Sequence, residues 1–196
     1  RAANRQGRCH DGPDFREKRT RPAGGADAAP HGAGPRTDPA TPAALFDAAE
    51  AALGSVDILV NTAAHYERND ALLTVSPDGL ARTFAVNPQA TALLTAEFVR
   101  RRQKAGSSWG RVINFSTDAA QAFPGQIAYG ASKAAIESLT RSIALEVATL
   151  GITVNAIAPG PVQTGYIPAD FEQQLNRDIP LGRLGLPSDI ADMVVF

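Results

Sequence analysis

Tyr129 and Lys133 stand four residues apart in the stretch STDAAQAFPGQIAYGASK, which opens on the hydroxyls Ser116 and Thr117. If the segment from about Gln126 to Leu150 is helical, the phenol and the ammonium share one face, one turn apart. A free tyrosine titrates near ~10 and is a poor proton carrier at neutrality. A unit positive charge ~4 Å away, at an effective dielectric of ~20, is worth about 4 kcal/mol, enough to lower the phenol by up to roughly 3 units. A phenol tuned in this way can exchange a proton with a carbonyl or alcohol oxygen. By itself the Tyr-x-x-x-Lys spacing is weak evidence, because a half-buried Tyr beside a solvated Lys has the same pattern. The elements around it must supply the rest.

Those elements alternate. An Ala/Leu-rich run at 43–53, with Leu45, Phe46, Ala49 and Leu53 at helical spacing, ends at Gly54. The apolar run 56–61 then reads as a buried parallel strand whose carboxyl end is Asn61. Ser76-Pro77 starts a helix that extends to about Lys104, with an irregularity expected at Asn87-Pro88. Residues 111–116 form the next strand, and the Tyr/Lys helix comes after it with an apolar stripe of Ile136, Leu139, Ile143 and Val147. The third strand, 151–158, stops at Pro159-Gly160. Short amphipathic pieces begin at Asp170, and Pro187-Ser188-Asp189 opens a last helix. Strand, helix, strand, helix, strand at this spacing predicts right-handed crossovers and a parallel α/β sheet. Ligands bind beyond the carboxyl ends of such strands, and Asn61-Thr62-Ala63, Ser116-Thr117 and Pro159-Gly160 all lie there.

Composition narrows the function classes. A chain of 196 residues suits one domain, and a net charge of −1 gives no overall attraction to nucleic acid or to an anionic membrane. Cys9 is the only cysteine, so neither an intrachain disulfide nor a thiolate metal cluster can form. With no apolar run near ~18 residues and no signal-peptide core, a cytoplasmic location is expected. Residues 1–38 differ from the rest. Seven basic residues from Arg1 to Arg21 precede a Pro/Gly/Ala-rich stretch without periodicity, which predicts a disordered, solvated, non-homologous N-terminal segment.

Six motifs in order, DILVNTAA (57–64), Asn87, GRVINFST (110–117), YGASK (129–133), GITVNAIAPGPVQT (151–164) and PLGRLGLPSDIA (180–191), make the chain resemble the short-chain dehydrogenase/reductase family, near its 3-oxoacyl-acyl-carrier-protein reductase-like members. The resemblance implies a Rossmann-like, doubly wound parallel sheet over 39–196. It further implies an NAD- or NADP-dependent enzyme that interconverts a small-molecule ketone and a secondary alcohol by hydride transfer. Tyr129 would be the acid/base, and Lys133 would lower its pKa while holding the cofactor ribose. Ser116 or Thr117 would orient the carbonyl, Ser116 by its spacing from Tyr129 and Thr117 by its place after the strand. Asn87 would hold a relay water behind Lys133. Thr62 and Ala63 would line the adenosine side, Asn61 would mainly tie strands together, and Val162 and Thr164 after Pro159-Gly160 would border the nicotinamide. The two long helices, 77–104 and 127–150, would build a homo-oligomer, a tetramer or dimer.

The resemblance starts near Thr37, without the family's first strands and glycine-rich turn, and stops before its last strand. Gly24-Gly25 and Gly32-x-Gly34 have no apolar strand in front of them. A truncated sheet with an open edge at the 56–61 strand is therefore expected. Cofactor affinity should fall, because backbone N–H groups at a helix N-terminus provide most pyrophosphate binding. The alternative function is a catalytically inactive remnant that at most self-associates through its long helices.

Overall fold

A computed structural model describes residues 40–196, so the expected disordered arm over 1–38 lies outside the described residues. The described chain runs α1 (Thr41–Leu53), β1 (Ile58–Asn61), α2 (Pro77–Phe84), α3 (Ala90–Lys104), β2 (Gly110–Phe115), α4 (Ile127–Val147), β3 (Ile152–Ile157), α5 (Ala169–Asp178) and α6 (Pro187–Val195). The three strands are parallel in the order β1-β2-β3, with Asn61 opposite Asn114 and Asn114 opposite Ala156. This register brings all three carboxyl ends to one edge. Among the described residues β1 pairs with β2 alone, so the expected open edge is present.

Local chemistry sets the element boundaries. The Ser76 hydroxyl accepts from Gly79 N at 3.0 Å, and Pro77 occupies the first turn of α2. The irregularity expected at Asn87-Pro88 is a π-turn, Ala85–Gln89, in which Ala90 N–H reaches back five residues to the Ala85 carbonyl. Pro88 has no N–H for an ordinary helical bond, and the wider turn accommodates that. At the far end of α4, Gly151 sits at φ 70° with its α-carbon packed against the Ser108 carbonyl, where an added Cβ would lie 1.9 Å from that oxygen. Only glycine fits this turn into β3.

One face of the sheet carries the core. Phe46 of α1, Phe98 of α3, Val112 of β2, Val147 of α4, and Ile152 and Val154 of β3 form a single buried cluster. The Phe46 and Phe98 rings sit 6.3 Å apart, and Gly110 leaves room for Phe98, since a Cβ there would come within 3.1 Å of the ring. Arg101 of α3 holds α1 in place by bonding Asp47 at 2.7 Å and Glu50 at 2.6 Å while lying over the Phe46 ring. Phe98→Ala is expected to cost about 3–5 kcal/mol, read as a lowered urea midpoint with an unchanged slope.

Two sequence expectations need correction. In α1, Leu45 and Leu53 are exposed, the latter at 84 %, and Phe46 is the large side chain that enters the core. The β1 strand is not buried on both faces: Ile58 is 51 % exposed and Val60 is also exposed, whereas Asn61 is buried. The physical reason is alternation, because the described helices α1, α3 and α4 contribute to the cluster against one face only.

Candidate active site

Asn61 and Asn114, paired in register, anchor the edge where the strands end. Asn61 Nδ2 donates to Asn114 Oδ1 at 2.9 Å and to Thr95 Oγ1 at 3.4 Å, and Asn114 Nδ2 donates to Thr140 Oγ1 at 2.9 Å. This buried chain ties β1 and β2 to α3 and α4, the strand-tying part expected of Asn61. Beyond it, Thr62 and Ala63 emerge into solvent. The loops after β2 and β3 are joined, since Ser116 N donates to Ile157 O at 2.8 Å and Asp118 N to Pro159 O at 3.1 Å. Pro159, Gly160, Val162 and Thr164 therefore continue the same edge, with Val162 bridged to Gly185.

Lys133 is 2 % exposed, and its Nζ donates to the Phe115 carbonyl at 2.7 Å. Burial pushes its pKa down to about 8. Its Nζ lies 5.7 Å from the centre of the Tyr129 ring. The expected lowering of the phenol is not what this geometry produces. Burial, then the Asp118 carboxylate, then Tyr66, push Tyr129 up. The ammonium bonds a backbone carbonyl and not the phenol oxygen, and desolvation of the phenolate outweighs its charge. Tyr66 packs edge-on against Tyr129, with ring centres 5.5 Å apart.

The two hydroxyl candidates separate clearly. Ser116 is buried, and its Oγ donates to Glu137 Oε1 at 2.7 Å. Glu137 lies eight residues after Tyr129 on α4, roughly 12 Å along the helix axis. Thr117 instead caps the short turn Asp118–Ala120, accepting from Ala119 N at 3.4 Å while donating to Asp118 Oδ1 at 3.0 Å. Asp118, the acceptor of the Thr117 hydroxyl, is the carboxylate whose charge acts on Tyr129.

Asn87 is fully buried in the π-turn. Its Oδ1 accepts from His65 N at 2.7 Å, and its Nδ2 donates to His65 O at 3.0 Å and to Ser132 Oγ at 2.8 Å. Both amide hydrogens are used, so the side chain ties the loop after β1 to α4.

Sequence reasoning passes over one group in this loop. Asp70 is buried, its Oδ1 accepts from Ala128 N at 2.7 Å, its Oδ2 from Tyr129 N at 2.8 Å, and its carbonyl from Ile127 N at 2.9 Å. Gln126, at the N-cap of α4, makes no side-chain cap. A long helix preceded by a poor capping residue is the signal that could have found it. A cavity of about 490 Å³ lies beside this loop, lined by Tyr66, Glu67, Arg68, Asn69, Asp70 and others. A groove of about 740 Å³ between α4 and β3 is lined by none of the expected site residues, though Glu137, the partner of Ser116, forms part of its wall. Among the aromatic residues of the loops, Tyr66 touches Tyr129, while Phe123 and Tyr166 are exposed. No helix among the described residues is long and apolar enough to cross a membrane.

Comparison with known proteins agrees with this architecture. A family model described as enoyl-(acyl carrier protein) reductase matches residues 27–196. An uncharacterized oxidoreductase, YjdA, of Bacillus subtilis is 39 % identical over 145 residues, covering 74 % of this chain and 57 % of that protein. NADPH-dependent aldehyde reductase 1, chloroplastic, of Arabidopsis thaliana is 34 % identical over 152 residues, covering 74 % of this chain and 51 % of its own length. The solved structure of ElxO with NADP bound superposes with a TM-score of 0.73 at 26 % identity, covering 81 % of this chain and 66 % of that one. The chain thus spans a little over half the length of the curated relatives it matches. Its parallel sheet, the order of its motifs and these matches together show that the chain belongs to the short-chain dehydrogenase/reductase family.

Proposed function

We propose that this chain carries the proton-transfer half of an NAD(P)-dependent oxidoreductase site that interconverts a ketone and a secondary alcohol, with Tyr129 as acid/base. The observation that carries the reading is the buried Lys133 beneath a half-buried Tyr129 at the carboxyl edge of a parallel sheet. The residues present fit the ribose and nicotinamide end of such a cofactor. Lys133 Nζ uses one of its three hydrogens on Phe115 O, which leaves donors for the hydroxyls of a ribose. Thr62, Ala63, Gly160 and Thr164 are exposed along one edge, and the solved neighbour named above has NADP bound.

The bound nicotinamide supplies hydride chemistry. The chain's own residues manage the proton. With its pKa held up, Tyr129 is fully protonated at neutral pH and carries the proton that a ketone oxygen takes up on reduction, although the shift makes it a weaker acid than a phenol in water. The positive charge of Lys133 stabilises the phenolate left behind. Thr117 is the better placed of the two hydroxyls to hold the substrate oxygen. With its hydrogen on Asp118 it presents lone pairs, the polarity that suits an alcohol, and rotation about Cβ–Oγ turns the hydrogen towards a ketone. Ser116, bonded to Glu137, braces the strand end against α4. Asn87 steadies Ser132 behind Lys133 and flanks the path of a proton relay. Small-molecule carbonyl or alcohol substrates, and self-association through α3 and α4, complete the reading.

Thr117→Ala is expected to lower kcat by about 10²-fold, the scale for losing one preorganised hydrogen-bond donor. Ser116→Ala is expected to act through stability instead, read as a lowered thermal midpoint. The alternative reading, an inactive partner that only self-associates, is separated by titrating the chain with NADPH and NADH and monitoring nucleotide fluorescence. Saturable binding supports the oxidoreductase reading, and its absence supports the alternative.

A further inference from the structure

We infer that Asp70 is a positioning residue for Tyr129, acting as the N-terminal cap of α4 from a separate loop. A helix normally takes its cap from the residue just before it, and Gln126 does not serve. Asp70 is 56 residues upstream of that position yet receives three successive N–H groups, from Ile127, Ala128 and Tyr129. Three first-turn donors that would otherwise be orphaned therefore converge on one buried residue. Its negative charge also lies at the positive end of a helix of 21 residues.

The third of these bonds bears on chemistry. The Tyr129 amide is bound at 2.8 Å by Oδ2, so the backbone that carries the phenol is fixed by the carboxylate itself. The same loop places Tyr66 edge-on against the Tyr129 ring, and Asn87 grips that loop at both the N–H and the carbonyl of His65. Backbone and ring of one tyrosine are thus both set by the segment 65–70. The charged and titratable groups around the phenol are Asp118, Tyr66 and Lys133, so Asp70 acts on the tyrosine's location.

This inference rests on Tyr129 being the proton carrier, and its test is chosen to be independent of turnover. The chain has three tyrosines, Tyr66, Tyr129 and Tyr166. Ring-labelled tyrosine in the full 196-residue chain gives three ¹³C signals, which Tyr→Phe variants assign. In Asp70→Ala the Tyr129 and Tyr66 signals are expected to move and that of Tyr166 to stay. The Ala128 and Tyr129 amides are expected to exchange with solvent about tenfold faster or more, the scale of losing a bond to a charged acceptor. Asp70→Asn, which keeps one acceptor and fits the same space, is expected to restore part of both effects. An unmoved Tyr129 signal would overturn the inference. So would collapse of all three signals to unfolded positions in both variants, which would make Asp70 a general requirement for folding. Where turnover is measured, Asp70→Asn lowers kcat about tenfold with KM unchanged, the signature of a misplaced reacting group. If Tyr129→Phe retains turnover, the proton-carrier reading fails while the spectroscopic result still decides the cap.

Discussion

Tyr129→Phe is expected to lower NAD(P)H-dependent ketone reduction by about 10²- to 10⁴-fold, the range for removing a general acid. Nucleotide affinity should change little, because the ring, its edge-on contact with Tyr66 and the backbone bond to Asp70 all survive the substitution. The pH profile carries a sharper signature. Lys133 titrates at about 8, so its charge, and with it the stabilisation of the phenolate, is present below that value and lost above it. Tyr129, with its pKa held up, stays protonated through the same window. Reduction should therefore decline as pH rises through about 8, and the decline should be traced to the lysine. Lys133→Arg, which stays charged at every accessible pH, should flatten that limb even if its absolute rate is low. A limb that persists unchanged in the Arg variant would remove Lys133 from the mechanism.

Lys133→Met is expected to stabilise the fold while abolishing turnover. The ammonium is buried, and burial alone moves its pKa from 10.5 to about 8. The folded state thus binds the proton more weakly than the unfolded chain. Below about 8 both states are protonated and the full penalty applies. Between about 8 and 10.5 the unfolded chain holds a proton that the folded one has lost, so stability rises with pH across that window. The shift corresponds to about 3 kcal/mol. The lost charged bond to Phe115 O returns about 2 kcal/mol of that. A net gain of about 1 kcal/mol at pH 7, or roughly 2–4 °C in Tm, is the expectation for the methionine variant. Its stability should also lose the rise seen in the parent at alkaline pH. A destabilised variant would mean that the carbonyl bond outweighs desolvation.

The same physics explains which parts of the molecule are legible in its sequence. Alternation of apolar runs with helical stripes locates all three strands and the long helices, because both signals depend on neighbours in the chain. Ile136 and Val147 are buried as their spacing implies. Leu45 and Leu53 mislead because the sequence does not say how much of a short helix its neighbours cover, and here only Phe46 meets Phe98. Tyr129 and Lys133 are legible as a pair, yet the direction of the phenol's shift is not. That direction depends on burial and on Asp118, while the lysine's charge is drawn to the Phe115 carbonyl, and neither partner belongs to the helix. Spacing alone cannot choose between Ser116 and Thr117. Alternation gives them different partners, turning Ser116 towards Glu137 and leaving Thr117 on Asp118. The poor cap at Gln126 signals that α4 needs an outside partner, but nothing local marks Asp70, 58 and 59 residues from the amides it binds, as that partner.

The π-turn at Ala85–Gln89 sets a phase relation between two helices. An α-helix advances ~100° per residue, and closing one bond over five residues rather than four inserts one extra step between α2 and α3. The face that α2 turns to α4 and the face that α3 turns to the sheet are consequently offset by about a quarter-turn or slightly more. Deleting Pro88 would restore continuous winding and rotate one helix against the other by that step. Asn87 would then leave His65 and Ser132 together, even though every other residue in the chain is unchanged. In this segment residue count governs the site as firmly as residue identity.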